Sequence, residues 1–113
     1  MSLRTTMTTP QHRITGRASR GEETPRFEAK LFDGTILLAK IQSDGQGGQA
    51  RVQWTEDAMR GGVARTSAVA WLASEAKRLY PDGAADGWLS ERLLANAEET
   101  SLLVVPEHLR RRR

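Results

Sequence analysis

The sequence predicts an α+β fold in which a small antiparallel sheet is packed by two helices, in the order β-β-β-α-α-β, with flexible basic arms at both ends. Three observations carry this prediction. Apolar and polar residues alternate with period two between residues 27 and 54. Apolar residues then recur at helical spacing between residues 66 and 80. Charge, finally, is segregated: residues 1–26 hold five arginines against two glutamates, and residues 107–113 hold four arginines against Glu107, whereas residues 27–106 hold 8 basic and 11 acidic side chains. The overall charge of +3 therefore combines a mildly acidic body with two basic ends.

Residues 1–25 are rich in Ser, Thr, Arg, Pro and Gly, and their apolar members (Met1, Leu3, Met7, Ile14, Ala18) show no period. Such a stretch buries too little surface to offset its ordering entropy, so it reads as a flexible basic arm. A single α+β domain is expected over residues 26–106, followed by a basic tail at 107–113.

In "RFEAKLF", Phe27, Ala29 and Leu31 alternate with Glu28 and Lys30, the period of a half-buried strand. Asp33-Gly34 signals a hairpin before "TILLAKIQ". A two-residue turn would pair Leu31 with Ile36 and mix the faces. A three-residue loop, Phe32-Asp33-Gly34 with Gly34 left-handed, gathers Phe27, Ala29, Leu31, Leu37, Ala39 and Ile41 on one face, so it is the expected connection. "SDGQGGQ" is a second, longer turn, and "ARVQW" alternates again, completing a three-stranded meander. The second face would carry Glu28, Lys30, Ile36, Leu38, Lys40, Arg51 and Gln53, a mixture that suggests partial cover by a partner chain.

The segment "FEAKLFDGTILLAKI" resembles the strand-then-helix opening of sliding-clamp subunits, which would make residues 34–42 helical. Nothing after Gln42 continues that pattern, and no function is carried over from it. The spacing of "LLAKI" before "ARVQW" resembles small Tudor- or SH3-like barrels, from which the long helix that follows departs.

A short helical turn is expected at 56–60, broken by Gly61-Gly62. "TSAVAWLASEAKRLYPDG" is the clearest helix: Thr66 or Ser67 caps it, Pro81 stops it, and Val69, Leu72, Ala73, Ala76, Leu79 and Tyr80 form its apolar stripe. A second helix is expected over about residues 87–99, with Asp86 as cap and Leu89, Leu93 and Ala97 buried. "SLLVV" reads as a strand apolar on both faces, ended by Pro106.

Catalytic chemistry finds little support. Both histidines, His12 and His108, fall in the arms, and there is no cysteine nucleophile or disulfide. No serine has a nucleophile-elbow context, and Asp33, Asp44, Asp82 and Asp86 each precede glycine, as in turns. Neither a metal site nor a cofactor is indicated, so the expectation is a protein that is not an enzyme. No apolar run suits a signal peptide or a membrane span, so the expected location is cytoplasmic.

Charge is the remaining lead. Arg110, Arg111, Arg112 and Arg113, with Arg4, Arg13, Arg17 and Arg20, can neutralise phosphates without sequence preference. Lys30, Lys40 and Arg51 extend the patch if their sheet face is open. Arg60 and Arg65 flank the start of the clear helix, whose free N–H groups suit a phosphate. The first expectation is thus a small nucleic-acid-associated protein whose body serves oligomerisation or contact. The alternative is a protein-interaction module (a small regulator, inhibitor or assembly subunit) that forms a homodimer or binds another protein through Ile36, Leu38, Trp71 and Arg78. Trp71 lies away from the apolar stripe, among Ser74, Glu75 and Arg78. Trp54 reads as core, and Trp88 as packed on Trp71.

Overall fold

A computed structural model describes residues 10–21 and 26–111 of the chain. Alternation becomes sheet as expected, but with four strands rather than three plus one. They are β1 (His12–Ser19), β2 (Arg26–Asp33), β3 (Ile36–Asp44) and β4 (Arg51–Trp54), antiparallel and in sequential order. Five helices follow: α1 (Glu56–Met59), α2 (Val63–Leu79), α3 (Pro81–Asp86), α4 (Glu91–Leu94) and α5 (Ala97–Arg111).

The strand β1 corrects the expectation of a flexible arm over its residues. It pairs with β2 from His12↔Asp33 to Ser19↔Arg26. Of the positions that alternate with its outward arginines, His12 is half-buried, Ile14 is buried, and Gly16 and Ala18 are exposed, so Ile14 alone supplies a large buried apolar group. A strand so thinly apolar shows no period. Gly16 is required: its φ is +140°, and a Cβ there would sit 2.2 Å from the Glu28 carbonyl oxygen.

The β2–β3 hairpin turns at Gly34-Thr35, with Gly34 at φ 61°, rather than through a loop of Phe32-Asp33-Gly34. A bulge follows, since Phe32 pairs with Leu37 but Leu31 pairs with Ala39. Leu38 is the extra residue and turns inward beside Ala39, so both are buried. The expected face survives as Phe27, Ala29, Leu31, Ala39 and Ile41, but Leu38 takes the place of Leu37. Residues 36–42 are strand, so the helix implied by the clamp resemblance is not formed.

The short turn at 56–60 is α1, capped by the Thr55 hydroxyl accepting from the Ala58 N–H. The helix α2 starts earlier than Thr66, at Val63, behind left-handed Gly62 and without a side-chain cap. Pro81 does not end helical structure; it opens α3, the position where its missing N–H costs nothing. The single helix expected over 87–99 is broken: Gly87 ends α3 in the left-handed region, and Ser90, not Asp86, caps the next short helix.

The largest correction is at "SLLVV", which is helix and not strand. The Asn96 side chain accepts from the Glu98 and Glu99 N–H groups and starts α5. Thr100, Ser101, Val104, Val105 and Leu109 are buried because α5 lies between the sheet, on β1 and β4, and α2. A helix covered on several sides is apolar all round, as a central strand is. Pro106 sits inside α5 and gives up one ladder hydrogen bond, and the helix still continues to Arg111. Glu107 to Arg111, expected in a tail, are thus helical. No helix among the described residues is long and apolar enough to cross a membrane.

Candidate functional site

All the helical packing falls on one side of the sheet and leaves the other open. Period two then decides what the open face carries. Its rows run across the strands as Arg13·Phe32·Leu37, Thr15·Lys30·Lys40·Gln53, Arg17·Glu28·Gln42·Arg51 and Ser19·Arg26·Asp44. Arg13, Arg17, Arg26, Lys30, Lys40 and Arg51 are exposed, against only Glu28 and Asp44. Arginines of the expected arm and lysines of the body therefore share one surface.

Positive charge outweighs negative on this face, with six cations against Glu28, which is in register with Arg17, and Asp44, which is in register with Arg26. Lys30 stands directly opposite Lys40 on the neighbouring strand, a like-charge pair that destabilises a sheet. Among the described residues, none of Arg13, Arg17, Lys30, Lys40 and Arg51 is in an ion pair. Thr15, Arg17, Glu28, Lys30, Lys40 and Gln42 surround a shallow depression of about 420 Å³, floored in part by Gly16 and Ala29. At the corner of the face, the Arg13 guanidinium lies 4.4 Å over the Phe32 ring, and its Nε donates to the Gly34 carbonyl at 3.2 Å. The start of β1 is fixed to the same corner: the Gln11 N–H donates to Asp33 Oδ1, and the Gly34 N–H to the Gln11 carbonyl.

The other proposed phosphate contacts lie elsewhere. Arg20 is exposed just past the end of β1. Arg60 and Arg65 are at the α1–α2 junction on the helical side, where the Arg65 guanidinium lies 5.4 Å from the Trp54 ring and donates to Met59 Sδ. Arg110 is in α5 and pairs with Glu107 at 3.3 Å. Arg111 is its last residue, and Arg4, Arg112 and Arg113 lie outside the described residues.

The proposed protein-contact residues are dispersed. Leu38 is only 2% exposed, turned inward by the bulge, so it offers no surface. Ile36 is 51% exposed at the hairpin end. Trp88 packs on Tyr80 instead of Trp71, at 5.9 Å.

Trp71 belongs to a cluster that sequence reasoning missed. Its indole contacts His12 of β1 at 5.4 Å and His108 of α5 at 5.3 Å. His108 Nε2 is 2.8 Å from Glu75 Oε1, and Glu75 accepts two bonds from the Arg78 guanidinium, at 2.7 and 3.2 Å. Those bonds from Arg78 hold the Glu75 carboxyl below its usual range, helped by His108 and opposed by burial. Burial pushes the His12 imidazole down, against the pull of Asp33, and its Nε2 is buried with no partner among the described residues. The spacing of Trp71, Glu75 and Arg78 along one helix face was visible in the sequence. Nothing local brought the two histidines to it. Among the described residues no three His, Cys, Asp or Glu side chains are placed to hold a metal ion.

The chain matches no protein-family model, and no curated protein or solved structure is significantly similar to it.

Proposed function

We propose that this protein binds nucleic acid through the phosphate backbone, using the open face of its sheet. The observation that carries the reading is the Lys30–Lys40 pair, flanked in the next row by Arg17 and Arg51 on either side of Glu28 and Gln42, none of these cations being ion-paired among the described residues. Like charges held opposite one another cost stability, and an anion laid across them reverses that cost. Arg13, Arg17 and Arg20 contribute from the first strand and its end, and Arg110 to Arg113 add sequence-independent affinity. The role is binding and not catalysis; the helical layer holds the sheet in shape.

Fluorescence anisotropy with labelled oligonucleotides, at low and near-physiological salt, tests this. Binding should weaken steeply with salt, and K30E/K40E should reduce both affinity and salt slope. If the intact chain does not bind at low salt, or if K30E/K40E binds unchanged, the sheet face is not the site.

A further inference from the structure

We infer that the nucleic acid taken by this face is single-stranded, lying across the sheet with an unpaired base stacked at the Arg13–Phe32 corner. This rests on the reading just given and narrows it. The first argument is width. Three interstrand spacings put the backbones of β1 and β4 about 14 Å apart before side chains are added. The major groove of a duplex is about 12 Å wide, so this face cannot enter it. A duplex would have to rest on its phosphate ridges with its bases still stacked inside.

The second argument is the layout of charge. Lys30 and Lys40 lie on the two central strands, and Arg17 and Arg51 on the edges, so the occupant must reach the middle of the sheet. Successive rows on one face are two residues apart, about 7 Å along the strands. A flexible single strand can follow those rows, placing its phosphates over the depression beside Lys30 and Lys40.

The third argument is the corner itself. Phe32 is the aromatic residue on the open face, and Arg13 holds its guanidinium over that ring, anchored by the Gly34 carbonyl. Rings and guanidinium planes stack with unpaired bases of any sequence. Neither has a stacking partner in an intact duplex. The corner therefore reads bases where the central rows read phosphates.

The test titrates the full chain, at one salt concentration, into a labelled 12-nucleotide oligo-dT, the same length of duplex, and inorganic polyphosphate as a base-free competitor. The single strand should bind about tenfold or more tighter than the duplex. Phe32→Ala should weaken single-strand binding by about tenfold and leave the duplex and polyphosphate curves in place. Arg13→Lys keeps the charge and loses the planar group, so it should lower the single-strand preference with little change in salt slope. Circular dichroism melts of both variants report folding, and Phe32→Leu stands in if Phe32→Ala unfolds. Equal or tighter duplex binding, or a Phe32 variant that is folded and unaffected, overturns this inference while leaving phosphate binding standing. Failure of all three probes to bind removes both.

Discussion

The two faces of the one sheet use alternate residues of the same four strands to opposite ends. Inward positions carry Ile14, Phe27, Leu31 and Ile41, all buried, while outward positions carry Arg17, Lys30, Lys40 and Arg51, all exposed. One face is optimised for burial. The other accepts a like-charge pair that a sheet selected only for stability would avoid. The difference shows where local stability has been given up: on the outward face, where Glu28 and Asp44 offset only part of the positive charge.

The contrast is broken most forcefully from the inner face. Leu31 is fully buried, and Leu31→Ala should cost about 2–5 kcal/mol of stability, read from urea melts. The neighbouring outward residue, in Lys30→Ala, relieves the repulsion with Lys40 and should leave the melting midpoint unchanged or slightly raised. Equal effects from the two would mean that the open face is covered in solution.

Gly16 tests the link between the faces. It admits close approach of β1 to β2, and it forms part of the floor of the basic depression. Gly16→Ala combines an unfavourable φ with a clash against backbone, for about 1–3 kcal/mol of strain and more if the strand separates. Hydrogen exchange should show loss of protection in residues 12–19 before the rest of the sheet. Because Arg13 and Arg17 leave with the strand, nucleic-acid affinity should fall as well.

A smaller effect comes from pH, through the cluster that ties β1 to the helices. The His12 pKa is lowered on folding, so as pH falls below its usual 6.5 the unfolded chain takes up the proton first. Stability from neutral His12 is thus complete above that value and is lost as pH falls toward the lowered one. Glu75 has a lowered pKa too, so its contribution is present above its usual 4.5 and is lost as pH falls through its folded value. The signs agree, and acid should destabilise in two stages. Thermal melts from pH 7 to 2 should show the upper stage removed by His12→Gln and the lower one by Glu75→Gln. A flat profile between pH 7 and 5 in the parent chain would break the assignment.

Legibility in the sequence follows how far each element keeps one buried and one exposed face. The β2–β3–β4 meander and α2 are readable because each buries one face and leaves the other exposed, so its period survives in its own residues. Leu38 was misplaced because a bulge reverses the alternation at one residue, and no composition rule announces a bulge. The strand β1 was unreadable because its partner, not its own apolar content, makes it a strand. The helix α5 was misread because burial on several sides erases the period that separates helix from strand. For the site, the basic character of Lys30, Lys40, Arg51, Arg13 and Arg17 is plain in the sequence, but their convergence on one face requires the pairing of β1 with β2. The His12–Trp71–His108 cluster required elements from both ends of the chain and had no local signal beyond the position of Trp71.

The smallest effect on stability is the sharpest discriminator between the faces. Lys40→Glu converts the Lys30–Lys40 pair into an opposite-charge pair at the same register. On cross-strand energetics alone the variant should be more stable than the parent by about 0.2–1 kcal/mol at low salt, fading as salt is added. On the binding reading the same variant should lose affinity for oligonucleotides, with a shallower salt slope. A site maintained for function is one whose repair improves the fold and harms the activity. Urea melts and anisotropy on this one variant measure both signs. Stability that rises while affinity holds would mean the lysines are only a solvated face, and stability that falls would mean the pair is already compensated by Glu28, diagonal to Lys40.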